Sequence, residues 1–108
     1  MDKKESFALA KRYADLVAEE LNLDKIVLYG SSINGSSTDE SDIDVAVIYE
    51  NFIGDWLNTY RRIATLRRTI SLLIEPILLD SAHDGSGFIR EVLSRGEILF
   101  EKQIQGNT

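Results

Sequence analysis

Apolar residues along this chain recur at two periods, and the change of period marks the elements. From residue 3 to 21, Phe7, Ala10, Tyr13, Ala14, Val17, Ala18 and Leu21 fall at helical spacing with charges between them, which predicts a first helix. Asn22 and Asp24 suit its end and the turn that follows. The short run Ile26–Tyr29 (IVLY) reads as a strand stopped by Gly30. Residues 30–41 are rich in Ser, Gly, Asn and Thr and read as a loop, with room for one helical turn near Ser31. Ile43–Tyr49 (IDVAVIY) reads as a second strand. Residues 53–68 read as a second helix, with Ile53, Trp56, Leu57, Tyr60, Ile63 and Ala64 on one face. Ile70–Leu79 reads as a third strand, broken or bent by Pro76, which lacks an N–H for a ladder. Phe88–Ser94 reads as a short helix ended by Gly96, and Glu97–Phe100 as a fourth strand or an extended tail.

This order predicts an α/β (α+β) fold, a small sheet flanked by helices. If Gly30 and Asp42 share a site, the end of the first strand lies beside the start of the second. Neighbouring strands meet that way only when antiparallel, so the sheet is expected to be mixed. Residues 1–108 are expected to form a single domain, with residues from about 103 to 108 a frayed tail.

Composition narrows the chemistry. The chain has no cysteine and one histidine, His83, so disulfides, thiolate metal sites and His-rich zinc sites are excluded. The net charge of −6 argues against direct nucleic-acid binding through phosphates, which needs a basic surface. An acidic protein still binds a polyphosphate if a divalent cation bridges the like charges. No apolar run is long enough to span a bilayer and the N-terminus lacks a signal peptide's apolar centre, so no membrane association and a cytoplasmic location are expected.

The stretch GSSINGSSTDESDIDVAV, residues 30–47, sets small polar residues and four acids in front of a strand. Glycine lets backbone approach a ligand closely, and free N–H groups at a following turn favour phosphate, which makes Gly30 and Ser31 candidates for nucleotide binding. Asp42 and Asp44 are two apart, so their side chains share one sheet face and suit two oxygen ligands for a hard cation. The plainer reading is an Asx turn closing a polar loop. Glu75 is an acid within an otherwise apolar strand. It is an edge position facing water, a salt bridge to a nearby arginine, or a metal ligand. Together the acids suit a two-cation phosphoryl or nucleotidyl transfer site.

Gly30-Ser31, ten residues, Asp42-Ile43-Asp44 and a later strand acid together resemble the minimal nucleotidyltransferases of the DNA polymerase β superfamily. SDIDVAVI is very close to that family's usual second strand, and the family's order of elements spans the whole chain. The chain departs from the family where many members carry Ala-Arg-Gly and it has Ile33-Asn34-Gly35, and where Glu75 replaces an aspartate. The resemblance implies a nucleotidyltransferase fold and a Mg²⁺-dependent enzyme. Asp42 and Asp44 would hold two Mg²⁺ ions that clamp ATP, with Glu75 on the catalytic ion, and Gly30 and Ser31 would cradle the phosphates. Short single-domain members resemble antitoxins encoded beside a HEPN ribonuclease toxin. The implied reaction is transfer of AMP to a toxin tyrosine. The alternative is an antitoxin, catalytically weak or inactive, that acts by binding alone.

Other features have simpler readings. Trp56 and Tyr60 suit the core, with a partner face open to Trp56. Arg61, Arg62, Arg67 and Arg68 suit a solvated helix face or contact with phosphate or an acidic partner. His83 suits an exposed loop position, Asp80 and Asp84 suit turns or a cap before the next helix, and Asp39 and Glu40 suit solvent.

Overall fold

Helix α1 (Lys3–Glu20) begins with a reciprocal cap: the Asp2 carboxylate accepts the Glu5 N–H at 2.8 Å, and Glu5 accepts the Asp2 N–H at 3.4 Å. The computed structural model containing it describes residues 2–30 and 42–103. The expected loop through residue 41 and the tail beyond Gln103 therefore lie outside the described residues. Along α1, Ala10, Tyr13, Ala14 and Val17 are fully buried, as their spacing predicts, while Phe7 stays exposed.

Strands β1 (Lys25–Tyr29), β2 (Ile43–Tyr49), β3 (Ile74–Asp80) and β4 (Glu97–Glu101) form one sheet in the order β3-β2-β1-β4. β1 is antiparallel to both β2 and β4, and β2 is parallel to β3. The sheet is mixed, as expected. Parallel β2 and β3 need a crossover, which α2 (Trp56–Leu66) supplies. Period-2 alternation then sorts β2 onto two cores. Ile43, Val45 and Val47 pack with α1 and with Ile63 of α2. Ala46 and Ile48 pack with Ile89 and Val92 of α3 (Phe88–Arg95). The Tyr13 hydroxyl donates to the Ile63 carbonyl at 2.7 Å, tying α1 to α2 inside the first core.

Two element starts differ from the sequence expectation by more than one residue. Helix α2 starts at Trp56, not 53, because Asp55 takes the N-cap and accepts the Asn58 N–H at 3.0 Å. Its apolar stripe is also not all core. Ile63 is buried, but Ile53, Trp56, Leu57 and Tyr60 are 88%, 41%, 56% and 42% exposed. The segment from Ile70 is not strand: the Ile70 and Ser71 N–H groups both donate to the Arg67 carbonyl, and β3 starts only at Ile74. Pro76 neither breaks nor ends β3. It pairs with Val45 on an edge strand, where one side of the backbone has no ladder to supply. Residues 97–101 resolve as a true strand rather than a tail.

Two polar residues hold the loops. The Asp80 carboxylate accepts N–H groups from Asn51, Phe52 and Ala82, all within 2.9 Å, so it joins two connections far apart in sequence. Asp84 accepts from Ile89 and Arg90 and caps α3, as its position before that helix suggests. Gly96 ends α3 where the chain passes under β1. A Cβ there would lie 2.5 Å from Val27 Cγ1 and 2.7 Å from the Leu28 carbonyl oxygen. Gly96→Ala is therefore expected to destabilise the fold by about 1–3 kcal/mol, the usual cost of overpacking. Urea denaturation checks this, and an unchanged midpoint would show that the helix end can shift.

Candidate active site

β1 ends at Tyr29, and Gly30 follows with a left-handed φ of 85°. The antiparallel register sets Tyr29 opposite Asp44, and the parallel register sets Asp44 opposite Glu75. Paired residues point to the same side of a sheet, so Tyr29, Asp44 and Glu75 form a row across three strands. Asp42 lies two residues before Asp44. The start of β2 is pinned by its Ile43 N–H, which donates to the Leu73 carbonyl at 2.8 Å.

Asp44 sits at the centre of this row. Burial pushes its carboxyl pKa up, and the charges of Asp42 and then Glu75 push it further. The Tyr29 phenol beside it is also raised, by burial and then by Asp44. Gly30 completes the setting: a Cβ on it would overlap the Asp44 carboxylate and lie 3.0 Å from its Cγ. Glycine tolerates this backbone and lets it pack directly against the Asp44 side chain. Glu75 is half exposed, and its Oε2 accepts from Arg67 Nη1 at 3.2 Å. The same nitrogen donates to the Ile74 carbonyl at 2.7 Å. Of the two plainer readings of Glu75, both hold: it is on an edge strand and it pairs with an arginine.

The fold thus brings Gly30, Asp42, Asp44 and Glu75 to one end of the sheet. Ser31 lies outside the described residues, as do Asp39 and Glu40. The donors are all carboxylates, a chemistry that suits a hard divalent cation such as Mg²⁺. Among the described residues, however, no three acids stand close enough to hold a metal together. The Glu75 carboxylate is engaged instead by Arg67. The sequence singled out Arg67 only as one of four clustered arginines. Tyr29 was not singled out at all, although a residue directly before Gly30 must flank whatever Gly30 exposes. Of the other arginines, Arg62 pairs with Glu20 at 2.5 Å, while Arg61 and Arg68 make no ion pair among the described residues. His83 is exposed, as expected, 4.0 Å from Asp80.

A cleft of about 620 Å³ lies elsewhere, lined by Phe52, Trp56, Leu79, Asp80, Phe88 and Ile89. Its residues gather at the far end of β3 from Glu75 and are mostly apolar. The acid row lies at the other end. Phe88 links the two regions, its ring meeting Tyr29 edge-on at 6.0 Å.

The Asp44 environment sets a pH dependence. Its pKa is higher in the fold than in the unfolded chain, so its stabilising contribution is full below the unfolded value of about 3.9 and is lost as pH rises through the folded value. At neutral pH without metal, ionised Asp44 is a net cost. Asp44→Asn in EDTA at pH 7 is expected to raise the melting temperature by roughly 1–4 °C, a small effect because the group is partly solvated. Melting curves across pH should show the gain shrinking toward pH 4. An equal gain at all pH would mean the charge is not its source.

Comparison with known proteins agrees with this fold. Among curated proteins none matches. A nucleotidyltransferase structure from Sulfolobus solfataricus is similar at 22% identity and a TM-score of 0.66, over 93% of this chain and 84% of that one. A toxin–antitoxin complex with AMP-PNP is similar at 21% identity and a TM-score of 0.61, over 86% of this chain and 74% of that one. A mutant of the toxin–antitoxin pair MntA-HpeT is similar at 19% identity and a TM-score of 0.60, with the same coverage. At these identities the likeness is one of fold. Residues 11–105 match the family described as polymerase beta, nucleotidyltransferase, and the chain belongs to that family.

Proposed function

We propose that this protein is a Mg²⁺-dependent nucleotidyltransferase that transfers AMP from ATP to a tyrosine of a cognate HEPN-type toxin and so neutralises it. The observation that carries the reading is the row of acids beside Gly30, with Asp44 between the end of β1 and Glu75. Family membership supports the reaction class. The fold shared with toxin–antitoxin structures, one of them with AMP-PNP, supports the partner and the nucleotide.

Two Mg²⁺ ions, when bound, would neutralise charge on the triphosphate and on the transferring phosphoryl group. Asp42 and Asp44 would hold them, with Glu75 on the ion nearest the acceptor. Gly30, whose missing Cβ lets its backbone pack against the Asp44 carboxylate, and Ser31, next in sequence, would cradle the phosphates. Glu75 reaches the open edge and would take the proton of the attacking tyrosine. The tyrosine oxygen bonds to the α-phosphorus, the bond from that phosphorus to pyrophosphate breaks, and AMP stays on the toxin. A reaction that consumes ATP fits a cytoplasmic protein. Among the described residues, no helix is long and apolar enough to cross a membrane.

Ile53, Trp56, Leu57 and Tyr60 support the protein partner. Trp56, Leu57 and Tyr60 continue the apolar stripe of α2 into solvent, with Ile53 exposed just before it; single exposed apolar residues are ordinary, but a group of them invites cover. This surface also favours the second reading, an antitoxin that acts by binding alone. Labelled ATP, the co-purified partner and Asp44→Ala separate the two. Transfer of label by the native protein, reduced at least about 100-fold in Asp44→Ala, supports the enzyme. Neutralisation by Asp44→Ala with no label transferred by either protein supports the binder. Leu57→Glu is expected to weaken partner binding by about tenfold or more while leaving Mg·ATP binding intact, as checked by calorimetry.

A further inference from the structure

We propose that Arg67 is a positioning residue for Glu75: it serves as a resident countercharge that holds the third acid away from Asp42 and Asp44 until a divalent cation draws it in. This rests on the metal-dependent reading above. The register places Glu75 directly across from Asp44, yet no three acids among the described residues close to metal-holding distance. In this arrangement Glu75 Oε2 accepts from Arg67 Nη1 at 3.2 Å.

The geometry suits an exchange. Arg67 is doubly seated: its Nη1 also donates to the Ile74 carbonyl at 2.7 Å, and Arg67 itself is the C-cap of α2, where a cation is favoured. When Glu75 leaves, Arg67 keeps the carbonyl and needs no new partner. Glu75 is half exposed, so solvent borders its side chain. In the metal-free state the pair relieves part of the repulsion among the three acids. A cation at Asp44 competes with Arg67 for the same oxygens. By linkage, whatever Arg67 contributes to the metal-free fold through Glu75 it subtracts from cation affinity. A merely structural arginine would give the first effect without the second.

The probe is Mn²⁺ alone, titrated into the full chain and followed by the loss of free-ion electron paramagnetic resonance signal, with melting curves in EDTA beside it. Arg67→Met keeps the apolar stem and removes the charge. The expected result is a lower melting temperature in EDTA together with Mn²⁺ affinity about fivefold or more above wild type. In a Glu75→Gln background, adding Arg67→Met should change Mn²⁺ affinity by less than about twofold. Unchanged or weaker Mn²⁺ binding in Arg67→Met overturns the proposal. So does a gain that persists without the Glu75 charge, which would make Arg67 a long-range charge on the site rather than a partner of Glu75. If Arg67→Met fails to fold, Arg67→Gln, which can still donate to the Ile74 carbonyl, is read the same way. Asp44→Ala reports on the underlying reading separately: if wild type shows no Asp44-dependent Mn²⁺ binding, the metal-dependent function falls and this proposal with it.

Discussion

The antiparallel pairing of β1 with β2 is the constraint on which the rest depends. It returns the chain so that Gly30, at the end of one strand, meets Asp44, at the start of the next. With side chains alternating across the sheet, the same register sends Ile43, Val45 and Val47 to the core under α1 and α2. Slipping the register by one residue would put acids in that core and apolar residues at the site. The hydrophobic pattern therefore holds the chemistry in place. Adding β3 in parallel extends the row by one acid, because the crossover through α2 delivers Glu75 opposite Asp44.

Acids at the two ends of β2 and β3 show how environment decides the role of one residue type. Asp80 lies at the closed end. The Phe52 N–H above all, and then those of Ala82 and Asn51, hold its carboxyl below the usual range, so its charge stabilises the loops. Asp44 lies at the open end, where burial and neighbouring charges raise it. One carboxylate is satisfied by the backbone, while burial and two neighbouring acids raise the other. Arg67 meets the charge of Glu75 but not that of Asp44.

Shape and chemistry point to different parts of the molecule. The roomy cleft is mostly apolar, and Trp56 belongs both to it and to the exposed stripe of α2. The acid row is small and open. Such a division suits an enzyme whose acceptor is another protein, since a macromolecule brings its own walls to an open site, whereas a small acceptor needs a pocket built for it.

Much of this was legible in the residues. The period change from helix to strand located the three helices and four strands, and Gly30, Asp42, Asp44 and Glu75 were identifiable because each breaks the local pattern in a way that costs free energy. The antiparallel arrangement followed from requiring two of them to meet. Boundaries at Asp55 and Ile70 did not follow, because a cap and a turn compete there with an apolar period that runs straight through both. The stripe of α2 misled for a related reason. Periodicity says which residues share a face but not how much of that face a four-stranded sheet can cover. Sequence alone thus determined the elements, their faces and the acids. Only the tertiary structure decided that β3 is an edge that admits Pro76, that Arg67 is the arginine on Glu75, and that Ile53, Trp56, Leu57 and Tyr60 stay in solvent. Each of these depends on which segments become neighbours across dozens of residues, and no local spacing encodes that.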